Sequence, residues 1–184
     1  MDAHVTDKDL GIIFRDARTL RRWAKQPVSD EILRVAYDLM KLAPTSANCS
    51  PARIVFVRSP ESKARLKPSL SAGNLEQTMT APVTAIFAYD TLFYDHLPRL
   101  FPQADARSWF AGDAKVAAIT ALRNGSLQAA YFMMAARALG LDCGPMSGFD
   151  NAKVDAVFFP DGRVKSNFLC NLGHGDRTDL PPRN

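Results

Sequence analysis

Ala43 to Val57 reads APTSANCSPARIVFV, and this stretch decides how the rest of the chain is organised. A helix-period segment runs into it and stops at Pro44, and an apolar strand, Arg53 to Val57, runs out of it. Between them lie Thr45, Ser46, Asn48, Cys49 and Ser50, closed by Pro51. Prolines punctuate the chain on both sides. Small residues with polar tips in such a place form a surface turn, or a ligand loop held between a packed helix and a core strand.

Working outward, Val28 to Ala43 reads as a helix. Ser29 suits the N-cap, Asp30 and Glu31 suit the first turn, and Val28 and Leu33 are spaced for a hydrophobic staple. Ile32, Leu33, Ala36, Leu39, Met40 and Ala43 form its apolar stripe, a packing surface. Upstream, Asp7 to Ala17 is a short amphipathic helix followed by Arg18-Thr19-Leu20-Arg21-Arg22-Trp23. Arginines this close repel one another unless solvent or an anion relieves them. The cluster is a solvated turn, a nucleic-acid contact or a small-anion site. No nucleic-acid motif accompanies it, which disfavours the second.

Downstream, Ser59-Pro60-Glu61 opens a helix to about Leu70, with Pro in the first helical position. Ser71 to Pro82 reads as a looser connection. Val83 to Tyr89 reads as a strand buried on both faces. Asp90 to Gly112, rich in aromatics, reads as an irregular helical excursion with its own small core. Lys115 to Leu139 is a long helix, apolar around most of its surface and therefore expected to be buried, within the fold or by a second copy of the chain. Gly140 ends it. Gly144 and Gly148, in LDCGPMSGFD, call for close backbone approach or positive φ, and Asp150 suits the next N-cap. Asn151 to Phe159 is a short helix and Ser166 to Gly173 a final strand.

Composition narrows the function classes. The chain has 184 residues, 47% of them hydrophobic, enough for one core and one domain spanning 1–184. No apolar run reaches the ~18 residues of a membrane helix, and MDAHVTDKDL is no signal peptide, so the expectation is a soluble cytoplasmic protein with no membrane partner. The net charge of +4 is spread along the chain and accommodates phosphates or small anions. Cys49, Cys143 and Cys170 form no C-x-x-C pair, and His4, His96 and His174 have no ligand spacing, so no metal is expected. No Ser-His-Asp, Cys-His or paired-carboxylate set stands out, which suits a reaction carried by a cofactor.

Ser46-x-Asn48-x-x-Pro51 before a strand resembles a segment of the FMN-dependent nitroreductase family, and PTSANCSPARIVFV is closest to its malonic semialdehyde reductase branch of pyrimidine degradation. Two further segments agree in order. Thr19, Arg21 and Trp23 match the family's R-x-S-x-R/K-x-F entry, except that its first arginine falls at Ala17 and Arg18 stands next to it. Leu141 to Asp150 is similar to the family's G-L-G/D-x-x-P-x-x-G-F stretch. The similarity runs from about Phe14 to Arg183.

The resemblance implies an α+β, three-layer α/β/α fold with a central, mostly antiparallel sheet flanked by helices. It implies a homodimer with FMN at the subunit interface, and NADPH or NADH as co-substrate in ping-pong hydride transfer through flavin N5. It assigns Arg18, Thr19 and Arg183 to the phosphate, Arg21 to the pyrimidine edge, Ser46 and Asn48 to the ring or ribityl chain, and Ser147 and Gly148 to N5 through backbone. By analogy Arg107, Trp109 and Phe110 meet substrate. The acceptor implied is 3-oxopropanoate, reduced to 3-hydroxypropanoate, with general nitroreductase or quinone reductase activity as the alternative. A flavin-free small-anion or nucleotide-binding protein would use the same basic and hydroxyl groups. It would be colourless.

Overall fold

The computed structural model describes residues 4–178 and 180–183. In chain order the elements are α1 (Asp7–Leu10), a π-helical turn (Gly11–Arg15), α2 (Asp30–Met40), a 3-10 turn (Ser46–Asn48), β1 (Ala52–Val57), α3 (Pro60–Leu66) with a 3-10 extension (Lys67–Ser69), and α4 (Ala72–Thr80). They continue with β2 (Val83–Asp90), a 3-10 turn (Phe93–His96), α5 (Leu97–Leu100), α6 (Ser108–Ala111), α7 (Ala114–Ala138), β3 (Asp142–Met146), α8 (Asn151–Phe158) and β4 (Val164–Gly173).

The four strands form one sheet in the order β1-β2-β4-β3, every described pairing antiparallel. Side chains of a strand alternate between its faces, and β2 shows the consequence. Val83, Ala85 and Phe87 enter one core with α2 and α7. Ile86 and Ala88 enter another with Leu66 of α3 and Val154 of α8. β1 divides likewise, Ile54 and Phe56 one way and Val55 and Val57 the other. The result is the expected three layers, α2 and α7 over the sheet and α3 and α8 beneath it.

α2 begins where its sequence says it should. The Ser29 hydroxyl accepts from the backbone N–H of Ile32 at 3.2 Å, and Val28 and Leu33 share the main core. Leu33, Ala36 and Met40 face inward, whereas Leu39 of the proposed stripe points outward. On α7, Asp113 caps the first turn, and Gly140 takes φ +83° just past the end. Phe132 of α7 anchors the upper layer, its ring edge-on to Phe87 at 5.3 Å.

Two expectations differ from the structure. Within Ser71 to Pro82, Ala72–Thr80 forms α4, a helix rather than a loose connection. And α7 is not covered all round: Val116, Ile119, Leu122, Leu127 and Tyr131 are exposed, Ile119 at 55%. The excursion at 90–112 does have its own core. Phe93, Leu97, Ala106 and Phe110 pack with Cys49 against Ala117 and Ala121 of α7.

Candidate functional site

The arginine-rich segment lies along the free edge of β3. Thr19 bridges Cys143, Trp23 bridges Gly175, and the Leu20 N–H donates to the Cys143 carbonyl at 3.1 Å. Gly144 makes this approach possible, since a Cβ there would lie 2.5 Å from the Leu20 carbonyl oxygen. Leu20 is fully buried and turns its neighbours outward.

Arg18, Thr19, Arg21 and Arg22 therefore line one cleft of about 410 Å³, closed on the other side by Asp176, Thr178, Leu180 and Pro181. Three guanidinium groups face one carboxylate, so the cleft is electropositive. Arg18 donates from Nη2 to the Pro181 carbonyl at 2.7 Å, and a guanidinium has further N–H groups to offer. The Asp176 carboxyl is held below its usual range, first by the Thr178 side chain and then by the Thr178 backbone N–H, so it remains an anion.

Arg21 also lines an adjoining cleft of about 390 Å³, shared with Arg22, Trp23, Gly73, Glu76 and Gln77. α4 forms its wall and connects to the β3–α8 loop. The Gly148 carbonyl accepts from Asn74 Nδ2 at 2.9 Å and from the Ser71 N–H at 3.1 Å. A Cβ at Gly148 would meet Asn74 Nδ2 at 2.5 Å, so a larger residue there would displace the Asn74 side chain from its bond to the Gly148 carbonyl. Ser147 is exposed beside it. Arg18, Thr19 and Arg21 thus lie around one trough, whereas Ser147 and Gly148 line neither cleft and connect to its α4 wall through Asn74.

Arg183 is not among the residues of that cleft. Its Nη2 donates to the backbone carbonyls of Ala17 at 2.7 Å and Phe14 at 3.1 Å, fastening the tail to the N-terminal segment. The basic group that closes the trough beside Arg18 and Arg21 is instead Arg22.

Ser46 and Asn48 are elsewhere. They sit on the strained loop between α2 and β1, where Ala47, Asn48 and Ser50 take φ of 50°, 51° and 39°. Left-handed backbone at alanine and serine costs of order 1–3 kcal/mol each and persists only where its surroundings hold it. The holders are on α7, a helix that reads from the sequence as small and apolar around most of its surface. Buried Asn124 Oδ1 accepts from the Ser46 N–H at 2.9 Å, and buried Gln128 Oε1 from the Ala52 N–H at 2.9 Å. The Thr45 hydroxyl accepts from the Ser50 N–H at 3.1 Å, and Asn48 Nδ2 donates to the Leu100 carbonyl at 3.0 Å. Neither Asn124 nor Gln128 is legible as a loop clamp in the sequence. A polar residue every four positions along the inner stripe is the signal that could have found them.

Of the three substrate candidates, Arg107 and Trp109 are exposed, Trp109 at 54%. Arg107 lies over the Tyr94 ring and near Asp95, 3.5 Å away. Phe110 is inside the satellite core, 5.1 Å from the Phe93 ring. Cys49 is buried and its thiol is pushed up to about 11 by burial, which leaves no thiolate at neutral pH. No group of metal-ligating side chains occurs among the described residues, and no described helix is long and apolar enough to cross a membrane.

The comparisons with known proteins agree on one family. The model described as "Nitroreductase family" matches residues 14–174. A protein of Burkholderia lata named "Putative NADH dehydrogenase/NAD(P)H nitroreductase" is 60% identical over 179 residues, 97% of this chain and 92% of that one. Among solved structures, a "putative nitroreductase in complex with FMN" from Exiguobacterium sibiricum superposes with a TM-score of 0.85 at 22% identity, over 100% of this chain and 95% of that one. A "putative NAD(P)H:FMN oxidoreductase" of Staphylococcus epidermidis gives 0.83 at 19%, again over 100% and 95%. The four-stranded antiparallel sheet between helical layers, the arginine cleft along β3 and a match over most of the length have one reading: the chain belongs to the nitroreductase family.

Proposed function

We propose that this chain is an FMN-dependent NAD(P)H oxidoreductase, and the observation that carries the reading is the electropositive trough of Arg18, Thr19, Arg21 and Arg22, which adjoins a second cleft walled by α4. The donor set suits a flavin mononucleotide. Guanidinium groups bind phosphate with fork geometry, and the exposed Thr19 hydroxyl adds a donor. Arg21 lines both clefts, which supports a role for it at the pyrimidine edge, where it would stabilise negative charge. The backbone at Ser147 and Gly148 is held for the N5 side. When bound, FMN supplies reversible two-electron chemistry at N5, fed by NADPH or NADH in a ping-pong cycle.

Within one protomer Ser46 and Asn48 do not line the trough. A second copy of the chain would bring them. The exposed apolar stripe of α7, with Val35 and Tyr37 of α2 and Leu42 just beyond it, supports such a homodimer, since stripes of this kind mark interaction surfaces. Arg183 would then reach phosphate only after releasing Phe14 and Ala17, so phosphate binding is assigned first to Arg18 and Arg22.

For the acceptor, the branch resemblance of PTSANCSPARIVFV favours 3-oxopropanoate, its carboxylate meeting the exposed Arg107. Nitroaromatics or quinones meeting Trp109 are the second reading. Anaerobic reoxidation of the reduced protein by each acceptor tests the choice. A rate for 3-oxopropanoate no higher than for a quinone contradicts the first reading.

A further inference from the structure

A further basic cleft, of about 730 Å³, takes no part in the trough. It lies between the end of α2, the strained loop, the start of β1 and the excursion after β2. Lys41, Arg53, His96 and Arg99 line it, and no carboxylate among the described residues does.

The guanidinium groups around it exceed the carboxylates that hold them. Asp90, buried at the end of β2, accepts from Arg163 Nε at 2.8 Å and from Nη2 at 3.0 Å, one bond to each carboxylate oxygen. That fork already satisfies the carboxylate, yet Arg53 Nη2 donates to it as well, at 2.7 Å. Arg107 and Arg163 share Asp95, so three guanidinium groups face two carboxylates. Lys41 is engaged by Asp38 at 2.5 Å. Arg99 is exposed and has no partner among the described residues. The Arg53 side chain is 35% exposed, and its bonds to Asp90, Ser50 and Ala52 leave N–H groups over. The cleft therefore presents two guanidinium groups with donors to offer, one of them fixed by a buried carboxylate.

A phosphomonoester suits these donors. It carries about two negative charges at neutral pH, and guanidinium groups bind it with fork geometry. Tyr37, also in the lining and 44% exposed, adds a ring face on which a base can stack. The volume is that of a site for a nucleotide-sized ligand. Asn48 lines the cleft too, and the FMN reading brings Asn48 to the flavin through the second copy. From there the cleft would receive the part of a nicotinamide dinucleotide that extends past the flavin.

We propose that this cleft binds the adenosine 2′-phosphate of NADPH, with Arg53 and Arg99 as the residues that select NADPH over NADH. The proposal rests on the FMN reading and deepens it by naming the co-substrate. NADH lacks this phosphate and leaves both guanidinium groups unused.

The test is calorimetric titration of the FMN-loaded protein with adenosine 2′,5′-bisphosphate, adenosine 5′-monophosphate and inorganic phosphate, in the wild type and in Arg99→Gln. FMN occupies the trough in this experiment, so the arginines there do not compete for the probes. Arg99 is exposed, so its replacement should leave the fold intact. The wild type is expected to bind the bisphosphate about tenfold more tightly than the monophosphate, or better, the factor that one charge-assisted hydrogen bond supplies. Arg99→Gln should lose most of that preference. Equal affinities for the two nucleotides, or a preference that survives in Arg99→Gln, overturn the proposal and leave the flavin reading intact. Inorganic phosphate bound as tightly as the bisphosphate would make the cleft a general anion site and also overturn the proposal. A protein that takes up no FMN, read from its visible absorption, overturns the flavin reading and the proposal together.

Discussion

At the scale of single residues, charge placement decides the outcome. Arg18 projects into the trough from a segment fixed by Leu20 and Thr19. Hydrogen bonds between charged partners contribute about 1.5–3 kcal/mol each, so Arg18→Ala should weaken FMN binding by roughly 10- to 100-fold. An unchanged dissociation constant in a fluorescence titration would remove Arg18 from the phosphate site. Lys63 makes a second, independent prediction about stability. Burial lowers its folded pKa to about 8, below the ordinary lysine value of 10.5, so between these values the unfolded chain holds the proton and the folded chain does not. Stability rises with pH wherever the unfolded state binds more protons. Relative to Lys63→Met, the wild type should gain roughly 2 kcal/mol between about pH 8 and pH 9.5, at 1.36 kcal/mol per pH unit. Urea midpoints at the two pH values check this, and a difference that stays flat or falls contradicts it.

The residues differ in how far the sequence exposes them. The arginine cluster is legible because like charges in five positions demand an explanation. Gly144 and Gly148 are legible as close approaches, and the structure names the atoms they admit, the Leu20 carbonyl and Asn74. Lys63, Thr84 and Asn171 are not legible. Each is a lone polar residue inside an apolar element, and its partner is up to 87 positions away.

Among the elements, those with strong local signals are the ones read correctly. α2 has a cap, a staple and a period, and β2 has an apolar run with aromatic and β-branched residues. α4 has none of these. Ser71 makes no side-chain cap bond, Gly73 occupies its first turn, and the side chains it buries are Gln77 and Thr78. Its helix is imposed by Gly148, Trp23 and Asn171, which take up its polar groups. The excursion between β2 and α7 has a separate core, so its two aromatics should behave oppositely. Phe93 is fully buried, and Phe93→Ala should cost about 3–5 kcal/mol. Trp109 is half exposed, and Trp109→Ala should change stability by no more than about 0.5 kcal/mol while altering acceptor preference. Equal losses of Tm in the two variants would contradict this division.

For the whole molecule, the three layers follow from alternation in β1 and β2, whereas assembly of the site does not follow from one chain. The trough and the Ser46–Asn48 loop lie apart, and an apolar stripe on α7 lacks a cover. The proposed dimer would account for both. A stable interface buries about 1,200–2,000 Å², and a charge in its centre is strongly unfavourable. Ile119→Asp should therefore halve the mass seen in sedimentation and release FMN together with it. A variant that keeps its mass places the interface elsewhere. One that becomes monomeric and keeps its flavin shows that one protomer suffices.

The central claim, a flavin held in the arginine trough and reduced by nicotinamide, is tested most directly by the visible absorption spectrum of the purified protein before and after anaerobic addition of NADPH. The account predicts two flavin bands that bleach on addition and return with an acceptor. A colourless protein that neither takes up FMN nor oxidises NADPH when FMN is supplied would contradict it, and would leave the trough as a site for small anions.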